Sequence, residues 1–260
     1  MTHETITVEL REHVLEVGLD RAPKRNAFNL AMLRELAEAF TRAEDDPDVR
    51  CVLLYAHGAH FTAGLDLGEV GPFVAAGGTL VPDGCVDPFG LFGRRRTKPF
   101  VIAVQGYCYT VAVELCLAAD IVVAARDAKF TQFEVRRGIM PFGGATLRFA
   151  RVAGYQNAMR YVLTGDFFDA EEARRIGVAQ DVTDVGAQVD SARAIATTIA
   201  RQAPLAVQAS LANARTAVEE GHAAALASMM TSARSLMMTD DAREGVQSFL
   251  ERREAKFSGR

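Results

Sequence analysis

The stretch Val101-Ile-Ala-Val-Gln-Gly-Tyr-Cys-Tyr-Thr-Val-Ala-Val-Glu-Leu-Cys-Leu-Ala-Ala-Asp-Ile-Val-Val-Ala124 decides the fold class. Residues 101–104 and 121–124 are short, continuous apolar runs, as expected for strands buried on both faces. Between them residues 111–119 are long enough for a buried helix, the kind of crossover that joins parallel strands of one sheet. Residues 51–56, Cys-Val-Leu-Leu-Tyr-Ala, form a third run of the same character. Upstream, residues 6–10 and 14–19 alternate around Arg11-Glu12-His13 and predict a hairpin. Asn29 is placed to cap a helix on which Leu30, Leu33, Leu36, Ala37 and Phe40 recur at helical spacing, and Pro47 ends the linker after it.

From about Gly154 the pattern changes. Residues 155–164, 170–177, 189–202, 205–220, 223–238 and 242–257 all read as helices, so an α/β core is followed by a helix-dominated remainder. Residues 71–98 hold many of the glycines and prolines with no clear period, and predict a mobile loop with at most a short helix. The loop ends in Arg94-Arg-Arg-Thr-Lys98, whose plain reading is a solvated charge run and whose functional alternative is phosphate contact.

A chain of 260 residues can bury one large core, or at most two modest ones, and 49% hydrophobic with 24% charged residues is ordinary for a soluble globular protein. The net charge of −4 speaks against nucleic acid or an anionic membrane as the main partner. No apolar run approaches the roughly 20 residues that span a bilayer. The opening residues lack the basic and apolar regions of a signal peptide, so the expected location is cytoplasmic. Cys51, Cys85, Cys108 and Cys116 are scattered and form no C-x-x-C, which predicts free structural thiols. Serine-hydrolase elbow, dinucleotide and P-loop signatures are absent. His57-Gly-Ala-His60 is the one close histidine pair, but a metal site would need further ligands and the glycine between them argues against a rigid helical clip, so none is expected.

Two carboxylates stand out chemically. Glu114 lies inside the otherwise apolar helix of the deciding stretch, and Glu134 sits in Phe-Thr-Gln-Phe-Glu-Val. A carboxylate buried without a partner is destabilised in its charged form, so its pKa rises toward the range useful to a general acid near neutral pH. The bland alternative pairs each glutamate with Arg136 or Arg137.

Together with Phe61-Thr-Ala-Gly-Leu-Asp-Leu67 and Pro23-Lys-Arg-Asn-Ala27, these stretches resemble the crotonase (enoyl-CoA hydratase/isomerase) superfamily over nearly the whole chain. The resemblance continues through Gln105-Gly-Tyr, Glu114-Leu, Ala119-Asp120, Gly138-Ile-Met-Pro141, Gly143-Gly144 and Leu163-Thr-Gly165. It ends in Glu244-Gly-Val-Gln-Ser-Phe249. It implies an α/β spiral of ββα units over residues 1–200, and a helical C-terminal region over 201–260 that forms homotrimers or homohexamers.

The activity implied is hydration of a 2-enoyl-CoA. Glu114 would deprotonate the attacking water and Glu134 would hold the proton for the α-carbon. Backbone N–H groups of Leu65 and Val111 would form the oxyanion hole, where one donor is worth about 3–4 kcal/mol. Lys24, Arg25, Ala27, Ala63, Asp66, Leu67, Phe133 and Phe142 are the implied substrate-binding residues. Coenzyme A is then part of the substrate, and no cofactor is expected.

Two departures bear on this. Many hydratases carry three glycines where this chain has Thr110-Val111-Ala112, and a lysine where it has Gly68. Lys24, Arg25, Lys98, the arginine tract, or Arg252 with Phe249 of a neighbouring subunit are the candidate replacements for that lysine. A double-bond isomerase using Glu134 alone, and a non-catalytic acyl-CoA-binding protein, are the alternatives. RNA binding has only Arg94–Arg96 behind it. Met229, Met230, Met237 and Met238 are expected in core packing rather than on a ligand surface.

Overall fold

The computed structural model describes residues 3–260. The chain runs β1 (Ile6–Arg11), β2 (Val14–Leu19), α1 (Leu30–Asp45), β3 (Cys51–Ala56), α2 (Leu67–Ala75), β4 (Phe100–Val104), β5 (Tyr107–Tyr109), α3 (Val111–Ala118), β6 (Ile121–Ala125) and β7 (Lys129–Thr131). It continues with α4 (Ala145–Ala153), α5 (Tyr155–Thr164), β8 (Phe167–Asp169), α6 (Ala170–Arg175), β9 (Asp181–Thr183), α7 (Gln188–Ala200), α8 (Pro204–Glu219), α9 (His222–Met237) and α10 (Asp240–Glu251). Six strands form one sheet in the order β1-β2-β3-β4-β6-β9, and β5-β7-β8 form a second.

Two successive turns of the chain, β4-β5 and β6-β7, send one strand to each sheet, which is the repeat of the ββα spiral. After β4 the chain bends at Gly106 into β5, and after β6 it bends into β7, with β5 and β7 parallel. Thr62, just past β3, bridges Cys108 of β5 in the same sense. Gly106 permits this bend: its φ is +54°, and a Cβ there would strike the Ala59 carbonyl.

Strand periodicity explains the continuous apolar runs. Ile102 and Val104 point into the main core with α1 and α3, while Val101 and Ala103 face Ala192, Ala196 and Ala200 of α7. Both faces of the strand are therefore buried, and alanines at every fourth position let α7 approach closely. Asn29 caps α1, its side-chain oxygen accepting from Met32 N at 3.0 Å, a contact worth about 1 kcal/mol.

The structure corrects several expectations. The short strands β5, β7, β8 and β9 carry no periodicity long enough to read, and α4 is a further helix beyond those expected; β9 lies within the supposedly helical remainder and completes the large sheet. The closing helix stops at Glu251 rather than 257. Arg252 turns left-handed at φ 54°, and the tail is pinned as Asp241 accepts from Ser258 N and Gly259 N. Helix α2 occupies the start of the 71–98 loop, and the buried Asp87 carboxylate accepts from Phe89, Leu91 and Phe92 N–H groups further along.

The basic tract is neither solvated nor free for phosphate at its two buried members. Arg96 pairs with Asp120 at 2.7 Å, and Lys98 Nζ donates to the Ala43 and Asp46 carbonyls at 2.7 and 2.6 Å. Lys98 is thus committed to α1 and cannot replace the missing lysine. The four methionines are largely exposed, Met237 and Met238 at 74% and 77%, so they are not core residues.

Asp120 ties the chain together here, since it also pairs with Arg215 of α8 and accepts from Phe100 N. Burial pushes its carboxyl up, but the Arg96 guanidinium, aided by Arg215 and Phe100 N, holds it below the ordinary range. Asp120→Ala leaves a buried Arg96 and a partly buried Arg215 without a carboxylate, and is expected to cost about 3 kcal/mol in urea unfolding. A depressed carboxyl stabilises above its unfolded pKa, so this contribution disappears as pH falls through the folded value.

Candidate active site

Three chain segments converge on one cavity at the open end of the spiral. Residues 62–66 run beside residues 25–28: Ala63 N donates to Arg25 O, Phe28 N to Gly64 O, and Asp66 N to Phe28 O. Asn26 locks this pairing from below, its buried amide donating to the His57 and His60 carbonyls at 2.9 Å each. The N-terminus of α3 supplies the second wall, and the single 3-10 turn of Glu134–Arg137 the third.

Glu114 is 3% exposed, and its Oε1 accepts from Gly143 N at 2.6 Å and Ala145 N at 3.3 Å. Burial raises its pKa to about 7, against those two N–H groups and the more distant Arg148. Glu134 is 6% exposed and raised to about 7, first by burial and further by the charge of Glu114. With its amide nitrogen turned inward, Gln132 donates to both Glu134 oxygens at 2.8 and 3.0 Å. Arg136 instead binds Thr164 O and Asp166, and Arg137 lies over the Phe133 ring, so the salt-bridge reading of the glutamates fails.

Gly143 is required for this contact. A Cβ built there would fall on the Glu114 carboxylate, so only glycine lets the α4 entry close over it.

Among the described residues, neither Leu65 N nor Val111 N has a hydrogen-bond acceptor, and both residues line the cavity. Val111 is the first residue of α3, where an unpaired N–H and the helix dipole both favour negative charge. Thr110 precedes it at φ 49°, ψ −101°, a conformation natural to glycine and strained by about 1–3 kcal/mol in a threonine. The replaced glycines therefore keep the glycine backbone path. Thr110 N–H is held by Thr131 O at 2.9 Å, and its hydroxyl packs over Gly64 beside Leu65.

Glu114, Glu134, Leu65, Val111, Ala63, Leu67, Phe133 and Phe142 all line this cavity, of about 40 Å³. That exceeds the roughly 10–15 Å³ a single water needs. It adjoins a larger cavity of about 490 Å³, which shares Leu65, Val111, Glu114 and Phe142. Leu33, Leu36, Val74, Leu80, Phe89 and Leu91 make that second cavity apolar.

Four of the expected residues lie outside the small cavity. Lys24, Arg25 and Ala27 occupy the adjoining segment, with Arg25 over the Tyr107 ring at 5.8 Å. Asp66 is held by Arg21 at 3.1 Å. His57 and His60 are committed elsewhere, the first to Thr7 and the second stacked on Tyr107.

Against known proteins, the enoyl-CoA hydratase/isomerase profile matches residues 9–260. The chain belongs to the enoyl-CoA hydratase/isomerase family. Enoyl-CoA hydratase EchA19 of Mycobacterium tuberculosis is 34% identical, over 97% of this chain and 96% of that protein. Carnitinyl-CoA dehydratase of Citrobacter koseri is 35% identical, with 95% of each covered. A crystal structure of a probable enoyl-CoA hydratase/isomerase from Mycobacterium abscessus superposes with a TM-score of 0.96 at 52% identity over the whole of both chains.

Within this enoyl-CoA hydratase/isomerase fold, Thr110, Arg137 and Ile139 also line the cavity and Gln132 is the partner of Glu134, none of them expected from the sequence. Thr110 and Arg137 were visible as chain neighbours of Val111 and Glu134. The Gln132 contact carried no signal, because it depends on where a short turn points a side chain.

Among the described residues no helix is long and apolar enough to cross a membrane. Cys51, Cys108 and Cys116 are buried free thiols, and Cys85 is partly exposed. Burial pushes the Cys51 thiol up to about 12 and Cys108 well above its ordinary value, which leaves both unreactive.

Proposed function

We propose that the chain is an enoyl-CoA hydratase, adding water across the 2,3 double bond of a 2-enoyl-CoA. The observation that carries this is the pair of buried carboxyls in one small cavity, each raised to about 7, facing two open backbone N–H groups. The N–H groups of Leu65 and Val111 take the thioester oxygen. Glu114 removes a proton from water as its oxygen bonds to the β-carbon. The π electrons move onto the thioester as an enolate, and Glu134 delivers its proton to the α-carbon. The step leaves Glu114 protonated and Glu134 ionised, so one proton passes from the first to the second before the next turnover.

Two carboxylates at one site favour hydration over isomerisation, for which a single carboxylate suffices. The open N–H of Val111, held in place by the strained backbone of Thr110, speaks against a purely non-catalytic binding role. Lys24, Arg25 and Ala27 hold the coenzyme A end beside Ala63 and Leu67, Asp66 fixes the turn, and Phe133 and Phe142 flank the acyl group. Arg137 adds a cation at the rim. The mechanism calls on no metal or redox cofactor. The reading includes a cytoplasmic homotrimer or homohexamer built through the C-terminal helices, where Val246, Phe249 and Leu250 are exposed at 63%, 81% and 70%. Light scattering checks this as a mass three or six times that of the chain.

Because the base must be ionised and the acid protonated, kcat/KM is expected to be bell-shaped and centred near pH 7. It falls on the acid side as Glu114 takes a proton, and on the alkaline side as Glu134 loses one. A rate flat from pH 5 to 9 sinks the assignment.

The 490 Å³ apolar cavity sets the substrate range. A series of 2-enoyl-CoA thioesters of increasing length, followed by loss of conjugated absorbance, is expected to peak beyond the four-carbon chain, which leaves that cavity largely empty. Turnover confined to the four-carbon substrate contradicts this.

A further inference from the structure

Back to back with the apolar cavity, sharing Pro88 and Phe89, lies a third cavity of about 190 Å³ with a different chemistry. Arg148 and Arg151 of α4, Arg215 of α8, and Arg95 and Arg96 of the loop before β4 all line it, against only two carboxylates, Asp120 and Glu219. Asp120 is taken up by Arg96 and Arg215, and Glu219 by Arg95. Arg148 donates from Nη2 to Gly90 O at 3.2 Å, but its Nη1 is buried with no acceptor. Arg151 makes no ion pair among the described residues. Five guanidiniums therefore face two carboxylates around one hollow, and Arg148 and Arg151 have no carboxylate partner among the described residues.

We propose that this cavity binds a small phosphate-bearing anion, with Arg148 and Arg151 as its principal contacts and Arg95 at the rim. Guanidinium forks match phosphate oxygens in pairs, and the hollow is roomy enough for a diphosphate or a phosphate monoester. Burial lowers the pKa of both Arg148 and Arg215; Arg96 adds its repulsion to each, and Arg95 to Arg148. An anion would relieve that crowding. Arg148 stands one turn along α4 from the Gly143 and Ala145 N–H groups that grip Glu114, so occupancy has a short route to the candidate active site. That consequence rests on the proposed role of Glu114; the binding does not, and the experiment reads binding alone.

Inorganic phosphate and pyrophosphate are titrated calorimetrically into the full-length protein, with thermal melting in parallel. Pyrophosphate is expected to bind and raise Tm, and Arg95→Gln/Arg151→Gln to weaken its affinity about tenfold or more. Arg126→Gln, which removes an equally exposed arginine paired elsewhere with Glu171, is expected to bind like the parent. Should the double variant lose its thermal transition, Arg151→Gln alone serves. No heat in the parent, equal affinity in the arginine variants, or complete displacement by free coenzyme A would each overturn the proposal, the last because the anion would then occupy the substrate's own site.

Discussion

Glu114→Gln and Glu134→Gln are each expected to lower kcat for hydration of a 2-enoyl-CoA by about 10²–10⁴-fold, the usual range for removing a positioned acid or base. Glutamine keeps the shape of either side chain and can still accept from Gly143 N, so KM should change little. The two losses are not expected to multiply in the double variant, because acid and base act in one step. Stability moves the other way. A buried carboxyl with a raised pKa contributes stability that is complete below its unfolded value near 4.5 and lost as pH rises through about 7. Glu114→Gln is therefore expected to unfold at higher urea than the parent above pH 7, by about 1–3 kcal/mol. A variant that is slower yet more stable cannot owe its slowness to misfolding. Full activity in both variants would remove the glutamates from the chemistry.

Gly143→Ala is the second large effect, and it touches no reacting atom. The new Cβ would occupy the place of the Glu114 carboxylate, which must then leave its two N–H donors or push α4 away. Displacing a catalytic group by about 1 Å can cost about 10²-fold, and a loss of that order in kcat is expected. Losing the N–H donors also removes what holds the Glu114 pKa down, so the acid limb of kcat/KM should move above that of the parent. Gly138→Ala is the control: its position is open, nothing lies near an added Cβ, and only the strain of a φ of +74° is introduced. Equal rates for the two alanine variants would show that Gly143 does not position Glu114.

Much of this was legible in the chain. Strands such as 51–56 and 101–104 announce themselves because both faces are buried, and α1 because one face is. The three-residue strands of the second sheet are too short for any period, and their pairing is set by which turn of the spiral lies alongside. Arg96 and Lys98 looked like solvated charge because a linear sequence does not show Asp120 or the carbonyls at the end of α1 closing over them. At the site, Glu114 and Glu134 stood out as charges in apolar surroundings. What holds them did not: Gly143 N, Ala145 N and the Gln132 amide are contacts made by backbone direction and by turns. The exposed methionines near the C-terminus misled for a related reason, since an apolar residue in a helix reads as core whether it faces its own chain or another surface.

The most direct measurement is turnover of a 2-enoyl-CoA in oxygen-18 water, with product analysed by mass spectrometry as the conjugated absorbance decays. Hydration by the glutamate pair predicts one heavy oxygen on the β-carbon of every product molecule, at a rate that collapses in Glu114→Gln. Binding without loss of absorbance, or loss of absorbance with no heavy oxygen incorporated, would contradict it.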